Sequence, residues 1–203
     1  MQTVTFYFDF GSPNAYLCHK VIPQIEARTG VTFNYVPILL GGVFKLTGNQ
    51  SPATAYVGIR NKLEYEHLEI QRFVRRHDLR HYRFNPHFPI NTLNLMRGAI
   101  AAQRLGIFAA YIDQVYADMW ERGRKMDDPQ VLAASLAEIG LPVNELIGLS
   151  QSAAVKAELI ANTEAAVAAG AFGSPTFLLG TELFFGKDSL HDLEEEILQQ
   201  AAL

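Results

Sequence analysis

The chain has 203 residues, 49% apolar and 19% charged, which suits one domain, or one domain with an inserted subdomain, over a sizeable core. A net charge of −4 with no basic run argues against a nucleic-acid binder. One cysteine, Cys18, excludes an intrachain disulfide and fits a reducing, cytoplasmic setting.

Met1-Gln2-Thr3-Val4-Thr5-Phe6 reads as a strand rather than a signal peptide, because no basic segment leads into an apolar run. Residues 3–9 are β-branched and aromatic, a strand apolar on both faces. Gly11-Ser12-Pro13 follows, with Ser12 suited to an N-cap and Pro13 to the first helical position. Tyr16, Leu17, Val21 and Ile25 continue at helical spacing, Pro23 predicts a kink, and Gly30 a stop. Residues 31–38 are the next strand, so the chain opens as β-α-β with two parallel strands and a right-handed crossover.

From about Gly41 to Gly170 the pattern is helical. Tyr56, Ile59 and Leu63 share one predicted face, and Phe108, Tyr111, Ile112, Val115 and Met119 another. His81 to Pro89 reads as a loop. Asp128-Pro129 opens a helix that Gly140 stops, and Val155, Leu159, Thr163 and Val167 mark one that Gly170 ends. Strands return at Thr176 to Leu179 and Glu182 to Phe185, around a Gly180-Thr181 turn. A C-terminal helix carries Leu190, Leu193, Ile197 and Leu198, capped by Asp188 or Ser189. Sheet elements at both ends must meet to bury their faces. The predicted division is therefore a sheet domain of residues 1–40 and 171–203, with 41–170 as an all-helical insertion.

Three places could carry chemistry. Ser12 opens a helix whose unpaired N–H groups and dipole favour negative charge, so a thiol docked there would ionise more readily; it could equally be a simple cap. Pro175, in Phe172-Gly173-Ser174-Pro175-Thr176, could be an ordinary edge residue or a cis proline exposing the backbone before it. Asp188, in Gly186-Lys187-Asp188, could cap a helix or hold a ligand's ammonium. Six scattered histidines and no Cys-x-x-Cys give no metal site. No apolar run is long enough for a membrane span.

Tyr7-Phe8-Asp9-Phe10-Gly11-Ser12-Pro13-Asn14-Ala15-Tyr16-Leu17 resembles the start of the 2-hydroxychromene-2-carboxylate isomerases and the related kappa-class glutathione transferases, in the DsbA-like branch of the thioredoxin superfamily. Gly48-Asn49-Gln50-Ser51-Pro52-Ala53, Gly170 to Thr176 and Phe185-Gly186-Lys187-Asp188 agree, in the same order, so the resemblance spans essentially the whole chain. It implies an α/β thioredoxin-like fold, β-α-β then β-β-α, with a large all-helical insertion. It implies glutathione as cofactor, its sulfur hydrogen-bonded by Ser12. Pro175 takes the place of the superfamily's cis proline, and Ser174 pairs through its backbone with the cysteinyl part. Asn49 and Lys62 bind the cofactor, and Lys187 with Asp188 holds its γ-glutamyl end.

The tetrad Ser12-Pro13-Asn14-Ala15 stands where DsbA-like redox enzymes carry Cys-x-x-Cys, so dithiol exchange is not available. Ser189 replaces an arginine common in the family. The resemblance also implies a homodimer and an isomerisation of a small aromatic 2-oxo or 2-hydroxy carboxylate, by transient thiolate addition. A kappa-type transferase or peroxidase is the alternative, and a non-catalytic thioredoxin-like binding module an alternative of another class. Cys18 reads as a small buried residue, Tyr116 and Trp120 as core or wall of the helical block. Arg60, Arg72, Arg75 and Arg76 read as a solvated helix surface rather than a clamp for an acidic substrate.

Overall fold

The computed structural model describes residues 2–201; Met1 and residues 202–203, the outer ends of the predicted sheet domain, lie outside the described residues. Four strands form one sheet in the order β2-β1-β3-β4: β1 (Thr3–Phe8), β2 (Thr32–Pro37), β3 (Thr176–Leu179) and β4 (Glu182–Phe185). β1 and β2 are parallel, Thr3 opposite Thr32 and Phe8 opposite Pro37. β3 runs antiparallel to both β1 and β4. Strands from the two ends of the chain therefore meet at β1–β3, as the burial argument required.

α1 (Pro13–Thr29) crosses between β1 and β2 and ends on Gly30 in the left-handed region. It runs on through Pro23, which lies on the exposed face, so the missing N–H is tolerated. Between β2 and β3 come α2 (Leu40–Thr47), α3 (Pro52–Ala55), α4 (Lys62–Arg76), α5 (Leu93–Arg104), α6 (Phe108–Trp120), α7 (Pro129–Glu138), α8 (Val143–Ser150) and α9 (Ala153–Ala168). α10 (Leu190–Ala201) closes the chain. The Asp128 cap is realised by its side chain, which accepts from the Gln130 N–H. Residues 56–61 depart from the expected helix: they are turns, and Asn61 has a φ of 67° before α4 begins. Val57 and Ile59 are 72% and 54% exposed, so no buried face was there to stabilise helix.

β1 is apolar on both faces for a reason. Val4, Phe6 and Phe8 enter the main core, where Phe6 stacks on Phe177 at 4.9 Å. Tyr7 enters a second core with Ile38, Val43 and Ala166, under α2 and α9. The fully buried Trp120 binds the helical block to the end of β1, its indole N–H donating to the Phe10 carbonyl at 2.8 Å.

Candidate functional site

The site grows from the break between β1 and α1. Ser12 has extended backbone, φ −94° and ψ 113°, and caps α1, its Oγ accepting from the Ala15 N–H at 3.2 Å. The same hydroxyl donates to the Ser174 carbonyl at 2.8 Å. The cap reading is thus realised, and the hydroxyl also touches the second candidate segment. The Ser174–Pro175 bond is cis, as is Phe88–Pro89. Ser174 is further held by its own Oγ, which accepts from the Asp9 N–H at 3.2 Å.

Two backbone donors flank the Ser12 hydroxyl. Among the described residues, neither the Asn14 N–H nor the Ser174 N–H makes a hydrogen bond, whereas those of Gly11, Ser12 and Ala15 are all used. The first turn of a 17-residue helix directs positive potential to the same spot. Free N–H groups at a helix N-terminus are of the kind that can accept an anion or pair with an added stretch of backbone.

Asn49 is brought to the same segment: its Nδ2 donates to the Phe172 carbonyl at 2.8 Å. Phe172 lies against Phe185 with ring centroids 4.3 Å apart. The Gly186 N–H donates to the Pro175 carbonyl at 3.0 Å, which carries Lys187 and Asp188 to the site's edge. These two residues differ in setting. The Lys187 side chain is 4% exposed and its ammonium sits 5.4 Å from the Phe73 ring of α4; the Asp188 side chain is 66% exposed and bonds Lys187 Nζ at 2.5 Å. Asp188 is the member that faces solvent. Lys62, at the start of α4, makes no hydrogen bond to these residues; it is paired with Glu66 at 2.9 Å and lies over the Tyr56 ring at 4.9 Å.

Asp9 carries a role that the sequence reading did not assign. It is fully buried, and its oxygens accept from the Gly11 N–H at 2.8 Å and the Leu40 N–H at 2.7 Å. It thereby ties the turn before Ser12 to the first residue of α2. Burial raises its pKa against the opposing pull of those bonds. The available signal was an acid ending a run of apolar strand residues. Cys18 is fully buried, and burial pushes its thiol well above the usual range, so it is no nucleophile. Tyr116 and Trp120 are core. No group of three or more His, Cys, Asp or Glu that could hold a metal occurs among the described residues. No described helix is long and apolar enough to cross a membrane.

The family model of the DSBA-like thioredoxin domain matches residues 3–198. A 2-hydroxychromene-2-carboxylate isomerase of Pseudomonas putida is 30% identical over 202 residues, covering 94% of this chain and 92% of that relative. Glutathione S-transferase kappa 1 of Homo sapiens is 25% identical over 213 residues, covering 93% of this chain and 88% of its own. A solved structure of a 2-hydroxychromene-2-carboxylate isomerase matches with a TM-score of 0.84 at 27% identity, over 98% of this chain and 96% of that one. The expected thioredoxin-like α/β fold is borne out.

Proposed function

Because the chain belongs to the DsbA-like thioredoxin family, together with the 2-hydroxychromene-2-carboxylate isomerases and kappa-class glutathione transferases, we propose that it is a glutathione-dependent isomerase of the 2-hydroxychromene-2-carboxylate type. Its substrate is a small aromatic 2-oxo or 2-hydroxy carboxylate. The observation that carries this reading is the Ser12 hydroxyl, 2.8 Å from the carbonyl before a cis proline and flanked by two unpaired N–H donors.

Those residues fit the cofactor. When bound, glutathione supplies a thiolate, a nucleophile that adds to a conjugated carbon and leaves again with no net oxidation. Ser12 and the opening turn of α1 hold negative charge at the sulfur. The Ser174 N–H pairs with the cysteinyl backbone, and Asn49 steadies that segment through Phe172. Asp188 receives the ammonium of the γ-glutamyl end, while Lys187, packed under Phe73, fixes Asp188 from behind. Lys62 completes the cofactor set from the start of α4. Dithiol exchange is closed to the chain, since Ser12 and Ala15 carry no sulfur and Cys18 is buried.

The proposal includes residues 41–170 as an inserted helical unit and a cytoplasmic homodimer acting in aromatic catabolism. The exposed Val57, Ile59 and Tyr65 offer apolar surface for such an assembly. The kappa-type reading shares the whole sulfur site and rests on the likeness to the human transferase. Calorimetric titration with glutathione tests the shared site: no heat of binding at millimolar concentration overturns both readings. Incubation with a chloronitrobenzene then separates them, because a transferase consumes glutathione and an isomerase leaves it intact.

A further inference from the structure

Asp9 is fully buried, and no cation pairs with it among the described residues. A carboxylate in such a place costs stability unless donors surround it. Its two oxygens serve different elements. Oδ1 accepts from the Gly11 N–H at 2.8 Å and Oδ2 from the Leu40 N–H at 2.7 Å, while the buried Thr92 side chain supplies a further donor. We propose, on the functional reading above, that Asp9 is a positioning residue of the glutathione site. It locks the turn that carries Ser12 to the start of α2, so that the Ser12 hydroxyl, the Ser174 N–H and Asn49 are held in one geometry.

Chemistry is the first argument. α2 is preceded by Leu39, whose side chain makes no capping bond. Asp9 caps it from 31 positions away, meeting the first N–H and the positive end of an eight-residue helix. Each N–H has its own oxygen, so both oxygens must accept at once. A carboxylate can do this. An amide has one acceptor oxygen and would set its NH2 group against the other N–H.

Connectivity is the second. The Asp9 carbonyl accepts from the Ser12 N–H at 3.1 Å, and the Asp9 N–H donates to Ser174 Oγ at 3.2 Å. The far end of α2 leads through Gly48 to Asn49, which donates to the Phe172 carbonyl. One residue thus bonds the cap of α1, the residue before the cis proline and the helix that delivers Asn49. Space is the third. A Cβ on Gly11 would lie 3.3 Å from Asp9 Oδ1 and 3.2 Å from Thr92 Cγ2, so the turn packs directly onto the carboxylate.

The test is an ultraviolet thiolate titration of bound glutathione in a double-mutant cycle of Asp9→Asn and Ser12→Ala, with calorimetry for binding and thermal melts for folding. Asp9→Asn is expected to raise the thiol pKa by about half a unit to one unit, because the hydroxyl is no longer aimed at the sulfur, and to add nothing once Ser12 is alanine. A purely structural role lowers the melting temperature and leaves the thiol pKa unchanged. An unchanged pKa, a fall in pKa (the sign of simply removing a negative charge), or an equal rise in both backgrounds would each overturn the assignment. Should Asp9→Asn fail to fold, Thr92→Val removes one donor to the carboxylate and keeps the side chain's shape. A smaller rise is expected there, and a curve coincident with wild type overturns the assignment. Absence of glutathione binding to the wild type defeats the functional reading as well, whereas binding with an unresponsive Asp9 variant defeats this role alone.

Discussion

Replacing Ser12 with alanine separates two roles that one hydroxyl performs. As a structural group, Oγ accepts from the Ala15 N–H and donates to the Ser174 carbonyl at 2.8 Å. Loss of the cap costs about 1 kcal/mol, and loss of the second bond about 0.5–1.5 kcal/mol. The sum, roughly 1.5–2.5 kcal/mol, lowers Tm by about 3–10 °C in a chain of this size. As a binding group, the hydroxyl must turn from Ser174 to the sulfur. A hydrogen bond to a charged group contributes about 1.5–3 kcal/mol, from which the surrendered neutral bond subtracts about 1. The net preference for thiolate is then roughly one pK unit, at about 1.36 kcal/mol per unit. Ser12→Ala should therefore raise the pKa of bound glutathione by about one unit, while the helix N-terminus keeps it below that of the free thiol. The assay is an ultraviolet thiolate titration of the complex beside a thermal melt. Coincident titration curves for the two proteins would refute the sulfur role even if the melt shifted as expected.

Gly98→Ala tests the packing that supports the site. A Cβ there would lie 2.1 Å from Tyr111 Oη and 2.8 Å from its Cζ, although Tyr111 is fully buried and donates to the Leu95 carbonyl at 2.8 Å. Overpacking at about 1–3 kcal/mol outweighs the ~0.5–1 kcal/mol helical gain of alanine, so the denaturant midpoint should fall, and partly recover in combination with Tyr111→Phe. A midpoint at or above wild type would show that α5 and α6 shift apart freely. Glu194 is held below its ordinary pKa by a hydrogen bond from Arg28, 2.6 Å away, which links α1 to α10. Its contribution is present above the unfolded carboxyl value of about 4.3 and is lost as pH falls through the lower folded value. With the arginine half exposed, the pair contributes less than about 1 kcal/mol, and Glu194→Gln should remove that part of the acid-side loss in urea titrations run from neutral to acidic pH.

Local pattern made much of the molecule readable. The strand of residues 3–8, the Gly180-Thr181 turn, and the Ser12 and Asp128 caps depend on neighbours within a few positions, and each formed where periodicity and turn chemistry put it. Residues 56–61 were misread because their apolar spacing matches a helix, and only the absence of a surface to bury them against reveals otherwise.

Pairings across the chain were decided by the fold alone. Ser12 meets Ser174 across a sequence separation of 162, and Asn49 meets Phe172 across one of 123, because β1 and β3 lie side by side. Lys187 and Asp188 are adjacent in sequence, yet one is buried under Phe73 and the other faces solvent. A residue's type and near neighbours state which interactions it is capable of. Distance and dielectric decide which it makes, and both are properties of the packed chain.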